Sequence, residues 1–574
     1  MSKHSLSPAP LPPSKRLHAL SSSTRRGDAL QPFSFNDSLY DELILCIFSH
    51  LSWVDLCSVQ PTNRNWARLA ADNELWRKLY LRVYGRTRLR GARGFISRAD
   101  GREVKPLPGR AKTDDFKDWK WMFRISSNWR KGRCTVEKIV SEPPPIPQDD
   151  LELPYQTHIL LAGTLTITAS SHPSSLPLVR ISSLRDSEHN LVCESKHAGS
   201  CQITALAMDQ SPPSSGQLRI ASFLSTGEFF VFLVNHSHGK PSSPSKKLVY
   251  VPARQSNRTS PIIQAVYHHP LLITLSQAFT LSLYDLSSDT IKHTQTLSSY
   301  TSFPPSSLVL SNPTPTTYKL VLAYATPVYP AHWSVGATEL IISGSSSSPS
   351  PTFSQQISDP ILEPMTVQTT RTIRTLEVPP GWMDDSKLRS MREQWSRKVS
   401  CVADTQTDGK WLVLAPGNSS SSSPSSSSSY HGSTSSFPPS SSLFSGSYSS
   451  SSGVASSPSH SSTNLQLYRL SLPASSSSVS SSPPKLTFVR SLHGQIGPIS
   501  ALALADGRCV SLGSNGSIWV WDLEGGTGAE VAVSSELASS IGYDGHLAKG
   551  NVCFDERRII TATGGNILVR RFDI

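Results

Sequence analysis

The sequence has few cysteines, and none of the spacings that would give them a structural role. Eight cysteines are spread over 574 residues, and no CxxC pair occurs among them. This excludes a zinc ribbon or a disulfide scaffold and favours a reducing compartment, the cytoplasm or the nucleus. Because Cys46, Cys57, Cys509 and Cys553 lie in apolar runs, we predict that they are small buried residues.

Long apolar runs are also missing. No stretch approaches the ~20 apolar residues of a membrane span, and the opening MSKHSLSPAP lacks the apolar centre of a signal peptide. Apolar residues make up 37% of the chain, below the typical ~45–50%, so part of the chain builds no core. The length nevertheless suggests about three to five domains.

Motifs for catalysis or cofactor binding are absent as well. We find no Gly-rich phosphate loop, no HExxH and no G-x-S-x-G in a strand–turn–helix context. The two dense histidine pairs, His236 with His238 and His268 with His269, lie in predicted loops without a third ligand nearby. We therefore expect no metal, no cofactor and no catalytic residues.

Positive charge is concentrated in one segment. The net charge is +12, yet residues 77–133 alone hold 18 Lys/Arg against 5 Asp/Glu. Residues 134–574 hold 29 against 30 and are close to neutral. The bulk of the protein therefore gives no reason to expect a nucleic-acid surface.

The N-terminal region divides into a tail and a helical segment. Residues 1–32 are rich in Ser, Pro and basic residues and are predicted to be disordered. From residue 33 to 82, Leu39, Leu43, Ile47 and Leu51 recur every four residues and share one helical face. Two predicted N-caps, Ser38 with Asp41 and Ser52 with Asp55, open two short helices. So small a domain has little core of its own and usually buries a face against a partner.

This segment resembles an F-box. The family pattern is L-P-x-E-L, then I-F-x-x-L, D-L, a Trp and a Leu-Trp pair, and Tyr40 replaces its usual Pro. The resemblance implies contact with a Skp-family adaptor through residues that match the pattern: Leu39, Leu43, Ile47, Phe48, Leu51, Leu56, Trp66, Leu75 and Trp76.

The basic segment 83–133 is predicted to be a partly helical linker. Its end, DWKWMFRISSNWRKGR, resembles the connector between an F-box and a propeller in F-box/WD-repeat proteins. Lys and Arg interleaved with Trp119, Trp121 and Trp129 are also compatible with nucleic-acid binding. We favour a linker helix whose aromatic residues pack inward and whose charges are solvated.

Residues 134–574 consist of short apolar runs separated by turn residues, a pattern typical of β-strands. The runs fall into seven repeated sets, and the clearest is ISALAL, CVSLGS, SIWVWD and AEVAVS in residues 499–534. Asp506-Gly507 and Asn515-Gly516 mark its tight turns. The last set has three runs, so we predict that residues 135–140 supply its fourth strand by pairing with 566–573, which leaves no open ring edge.

The repeats resemble WD repeats. Residues 491–526 hold the closest copy, with Trp521-Asp522 at the family's W-D pair, Asn515-Gly516 at its Asp-Gly, and His493-Gly494 inverted relative to its Gly-His. The predicted fold class is multidomain: a small all-α F-box, then an all-β seven-bladed WD-type propeller with degenerate repeats. A pair of β-sandwiches is the alternative, which the regular four-run sets disfavour.

One tract interrupts the fifth set. Residues 419–464 hold 27 Ser in 46 positions and no charged side chain, so they cannot fill a core. We interpret them as a long disordered loop between the second and third strands of that blade.

The combined resemblance is to substrate-receptor subunits of Skp–cullin–F-box ubiquitin ligases. It implies that the F-box binds the Skp-family adaptor, and through it cullin and the RING subunit, while the propeller holds a substrate protein. Two other classes stay open: an adaptor-binding scaffold outside degradation, and a WD-type module whose basic segment binds nucleic acid or acidic lipid. Neither the substrate nor its contact residues follow from the sequence.

Overall fold

The structure is a computed structural model of the chain. It describes residues 39–84, 105, 118–140, 155–183, 188–197, 199–211, 217–237, 240–252, 260–288, 290–314, 316–328, 332–344, 364–376, 381–417, 464–472, 484–533 and 549–574. The chain divides into two units, Met1–Leu79 and Tyr80–Ile574. The predicted tail 1–32 lies outside the described residues, as does the Ser-rich tract up to residue 463.

The first unit is helical. Side-chain caps begin three of its helices. Ser52 and Asp55 form the predicted capping box, Asn63 Oδ1 accepts a hydrogen bond from the Trp66 amide at 2.8 Å, and Asp72 Oδ1 accepts one from the Leu75 amide at 2.9 Å. The predicted Ser38 cap is wrong, because the first helix begins after Tyr40, which makes no side-chain cap. The last helix extends into the second unit. The helices are α1 Asp41–Phe48, α2 Trp53–Val59, α3 Arg64–Ala70 and α4 Asn73–Val83.

The second unit consists of seven antiparallel sheets of four strands, which we call blades I to VII. In blades I to VI the strands follow one another in chain order. The strands of the first three blades are β2 Thr157–Ala162, β3 Leu165–Ser170, β4 Leu178–Ser183, β5 Glu188–Val192; β6 Ile203–Met208, β7 Gln217–Leu224, β8 Phe229–Ser237, β9 Lys240–Tyr250; β10 Ile262–His268, β11 Leu271–Ser276, β12 Thr280–Asp285 and β13 Lys292–Ser298.

Blade IV has longer strands, of 10 to 13 residues, than the runs predicted for it. The strands of blades IV to VI are β14 Phe303–Thr314, β15 Thr317–Val328, β16 His332–Gly344, β17 Met365–Arg374; β18 Val402–Thr407, β19 Trp411–Pro416, β20 Leu465–Ser471, β21 Lys485–Leu492; β22 Ile499–Ala505, β23 Arg508–Gly513, β24 Ile518–Asp522 and β25 Thr527–Ala532. The Ser-rich tract therefore joins the second and third strands of blade V, where the sequence placed it.

Blade VII closes the ring with a strand from far upstream. Its order is β1–β28–β27–β26, and β1 pairs antiparallel with β28 from Thr135 opposite Arg571 to Val140 opposite Asn566. This confirms the predicted closure. The strands are β1 Thr135–Val140, β26 Asn551–Phe554, β27 Arg558–Thr563 and β28 Asn566–Arg571.

The innermost strands form a closed circle. Each of β2, β6, β10, β14, β18, β22 and β26 contacts the next, and β26 contacts β2. Hydrogen bonds join several of these neighbours, including Ser306 Oγ to Gln264 Oε1 at 3.1 Å and the Leu502 amide to Asp404 Oδ2 at 2.8 Å. The apolar clusters lie between adjoining sheets, so each blade is stabilised by its two neighbours. The fold is thus the predicted seven-bladed β-propeller.

The described residues of this unit also include the helices α5 Trp119–Lys131 and α6 Asp385–Trp395. Helix α5 lies in the segment predicted to be partly helical and ends at Gly132, whose φ of 65° suits glycine. Helix α6 lies between blades IV and V and was not predicted.

Candidate protein-interaction surfaces

The core of the helical unit is built from large apolar side chains on all its helices. Ile44 and Phe48 of α1 are buried, and the Phe48 ring meets the Trp66 ring edge-on at 5.9 Å between centroids. Trp76 is 2% exposed, and its Nε1 donates to the Ala70 carbonyl oxygen at 2.7 Å. Each of these contacts lies within the unit.

Four of the predicted adaptor-binding residues therefore belong to this core: Phe48, Leu56, Leu75 and Trp76 are all buried. A side chain that is already enclosed has little surface left to offer a partner. We assign these four to holding the helices together.

The other predicted residues reach the surface. Leu43 is 50% and Ile47 42% exposed on one side of α1, whereas Leu39, Leu51 and Trp66 are half-buried. The start of α2 adds Trp53 and Val54, which are 37% and 49% exposed and were not among the predicted residues. Cys46 and Cys57 are exposed, so the prediction that they are buried is wrong; Cys509 is buried and Cys553 half-buried. We call the exposed side chains of Leu43, Ile47, Trp53 and Val54 the apolar F-box surface.

Helix α5 packs two of its tryptophans against the propeller. The Trp129 indole stacks on the Phe572 ring at 4.3 Å between centroids, and its Nε1 donates to the Glu556 carbonyl oxygen at 3.2 Å. Phe123 is buried, and the Trp121 ring lies under the Arg557 guanidinium at 4.9 Å. These contacts favour the linker interpretation over base stacking, because the rings are already engaged.

In blade VI, hydrogen bonds hold the residues that resemble those of a WD repeat. Trp521 Nε1 donates to Ser511 Oγ at 2.9 Å, and Ser511 in turn donates to the buried Gln495. Asn515 Oδ1 accepts from the Ser517 amide at 3.1 Å, and Gly516 has a φ of 80°. The predicted Asp506-Gly507 turn has positive φ at both residues, which is typical of a tight hairpin turn.

Several ionisable side chains elsewhere in the propeller have pKa values that are shifted by burial and by hydrogen bonds. Burial alone would raise the pKa of Glu228, but bonds from Ser195 and the Lys196 amide lower that pKa below its usual value. Burial also raises the pKa of Asp404, opposed by the Lys549 ammonium. At the half-buried His158, the loss of surrounding water lowers the pKa to about 4. These groups contact neighbouring strands and loops of the propeller, and we interpret them as structural.

No catalytic or metal constellation stands out in the described part of the chain. Among these residues, no three His, Cys, Asp or Glu side chains are grouped so that they could hold a metal ion. The helices of the same residues include none that is long and apolar enough to cross a membrane.

The helical segment matches a known family, and the match with one curated protein is short. A family model described as F-box-like covers residues 38–82. Over 121 residues the chain is 29% identical to the probable E3 ubiquitin ligase complex SCF subunit sconB of Arthroderma otae. That match covers 18% of this chain and 18% of that protein, so the chain spans about a fifth of the curated relative's length.

Two of the solved structures similar to this chain are β-propeller domains, both at low identity. The β-propeller domain of Myceliophteria thermophila Cps50 (Swd1) is 10% identical and covers 76% of this chain and 99% of its own, with a TM-score of 0.34. The WD40 β-propeller domain of Doa1 is 10% identical and covers 70% and 88%, with a TM-score of 0.29. The chain therefore joins an F-box-like helical segment to a seven-bladed propeller in which blade VI carries WD-like residues.

Proposed function

We propose that this protein is the substrate-recognition subunit of a ubiquitin ligase of the Skp–cullin–F-box type. The F-box-like helical unit would bind the Skp-family adaptor, and the propeller would bind a substrate protein. The observation that carries the proposal is the apolar F-box surface. Four large apolar side chains on two short helices remain exposed in a unit that already has a core.

The chain would contribute proximity, and other subunits would carry out the transfer of ubiquitin. Holding a substrate lysine near the charged conjugating enzyme replaces a bimolecular encounter with an intramolecular one. The curated relative is named as a probable SCF subunit, which supports this role. Cullin and the RING subunit would be reached through the adaptor.

The apolar F-box surface is the part to mutate. Covering the exposed half of Leu43 and Ile47 should contribute about 1 kcal/mol each, and placing arginine there would leave two charges to be desolvated without partners. We expect Leu43→Arg with Ile47→Arg to weaken adaptor binding at least about a hundredfold. The readout is affinity purification of the tagged full chain under proteasome inhibition, with adaptor and cullin quantified.

A matched control adds the same two charges elsewhere on the unit. Thr62 and Ala71 are exposed in the turns after α2 and α3, so Thr62→Arg with Ala71→Arg should bind the adaptor like the wild type. The propeller's own partner should stay bound in both variants and accumulate only in the first. Wild-type protein that never retains the adaptor would overturn the proposal, and adaptor without cullin would favour a scaffold outside degradation.

A further inference from the structure

A pocket of about 250 Å³ lies beside α6, between blades IV and V. Small-molecule sites usually measure about 300–1,000 Å³, so this pocket has room for a side chain rather than for a cofactor. Helix α6 and Arg397, two residues after its end, form one wall of the pocket. The outer strand β21 and the ends of β16 and β17 form the others.

The inner surface of the pocket is apolar on one side, and the hydroxyl groups of Ser334 and Thr375 have partners within the fold. Leu486, Phe488 and the buried Tyr468 contribute apolar surface from blade V. Across from them, Ser334 and Thr375 share a hydrogen bond of 2.5 Å, and Thr375 Oγ1 donates to the Val335 carbonyl oxygen at 2.9 Å. An apolar side chain could therefore enter without leaving these groups unpaired.

The surroundings of the pocket are positively charged, in contrast to the propeller as a whole. Residues 384–398 hold five Lys/Arg against three Asp/Glu, and β21 adds Lys485 and Arg490 without an acidic residue. Residues 134–574 hold 29 basic and 30 acidic residues. Lys485 and Arg397 line the pocket itself. The local excess of positive charge suits a negatively charged partner.

Arg397 is held in place but only loosely neutralised. Its guanidinium lies 4.0 Å from the centre of the Phe488 ring, and it forms an ion pair with Glu393 one turn earlier. The Glu393 side chain is 68% exposed, and ion pairs with an exposed partner are weak. Glu393 thus occupies the position that a carboxylate of a bound peptide would take.

We propose that this pocket binds an acidic, extended segment of a partner protein. One apolar side chain of the segment enters between α6 and β21, and flanking carboxylates pair with Lys485 and Arg397 in place of Glu393. The proposal goes beyond the function proposed above, because it concerns the propeller alone and does not depend on adaptor binding.

The test uses the full chain and fluorescence anisotropy of a labelled peptide with one leucine between two runs of four glutamates. We expect saturable binding at low salt (about 50 mM) that weakens as salt rises. The peptide with lysine in place of glutamate should not bind, and serine in place of leucine should weaken binding. Equal binding of a single-stranded RNA of the same length would overturn the assignment, because it would indicate a general anion surface.

Three variants separate the pocket from a diffuse positive field. Lys485→Ala and Arg389→Ala each remove one positive charge, but Arg389 is exposed on α6 and does not line the pocket. We expect Lys485→Ala to weaken peptide binding about threefold or more while Arg389→Ala leaves it unchanged, and Glu393→Gln to strengthen it about two- to fivefold. Equal losses from the two alanine variants, or no gain from Glu393→Gln, would overturn the proposal.

Discussion

The helical unit and the propeller differ in how they treat large apolar side chains. Of the 41 residues from 39 to 79, five have large apolar side chains that are exposed to solvent. The whole described part of the second unit has twelve such side chains. The propeller buries its apolar groups between adjoining sheets, and each blade has two neighbours. The described part of the first unit has four short helices, and small domains bury a smaller fraction of their surface than large ones. The comparison teaches that the helical unit leaves apolar area open to a partner, whereas the propeller covers its own through closure of the ring.

Removing the closing strand should have the largest effect. A chain that starts at residue 146 loses β1, so blade VII keeps three strands and an open edge along β28. We expect it to lose more than about 5 kcal/mol of unfolding free energy relative to a chain that starts at residue 115, which is a large part of a domain's usual stability. Urea denaturation followed by tryptophan fluorescence measures the difference.

A third chain, starting at residue 132, keeps β1 but lacks α5. Its unfolding midpoint should lie between those of the other two, because it loses the stack of Trp129 on Phe572 but keeps the ring closed. If the chains from 115 and 146 unfold at the same urea concentration, closure by β1 does not stabilise the propeller.

We expect the helical unit to unfold independently of the propeller. Trp76→Ala removes a buried indole and its hydrogen bond to Ala70, at a cost of about 3–5 kcal/mol. Trp53→Ala is the matched control on the exposed surface and should cost under about 1 kcal/mol. Limited proteolysis should cleave the helical unit of the first variant while the propeller keeps its melting temperature. Simultaneous loss of both units would show that their stabilities are coupled.

Acid should weaken the propeller through His158. Burial lowers the pKa of its imidazole to about 4, whereas in the unfolded chain the same group titrates near 6.5. Between those two values the unfolded chain binds a proton that the folded chain does not, so stability falls as pH drops through this window. The contribution is at most about 3 kcal/mol.

The matching variant is His158→Gln, which keeps a hydrogen-bond donor toward the Ile203 carbonyl oxygen, 3.2 Å from His158 Nε2. Its unfolding free energy should depend less steeply on pH between 6.5 and 4 than that of the wild type. Parallel curves for the two proteins would mean that His158 titrates normally in the fold.

The strands could be predicted because the signals for them are local in the sequence. The ring closure could be predicted because the repeated sets of runs could be counted. Apolar runs bounded by turn residues located the strands, and the missing run in the last set pointed to residues 135–140. Helix α6 was not predicted, although the sequence holds an N-cap and an apolar side for it. Asp384 caps the helix, and Leu388, Met391 and Trp395 share one side. Such a helix carries too few apolar residues to stand out between β-strands.

The division of the F-box residues into core and surface could not be predicted. Helix α1 is apolar on both sides, since Leu43 and Ile47 lie on one and Ile44 and Phe48 on another. A period of four residues identifies a face but does not say which face packs inward. That choice depends on where α3 and α4 lie, which is a tertiary fact.

Pairing β1 with β28 also imposes an order on synthesis. The 425 residues between Val140 and Asn566 must be translated before the seventh sheet can be completed, which takes about 20–90 s at typical elongation rates. Through that interval the nascent propeller has an unfinished sheet, while the helices of residues 41–83 left the ribosome long before. The adaptor proposed above could therefore meet the helical unit on a polypeptide that is still being made, and chaperones would be most needed at the other end.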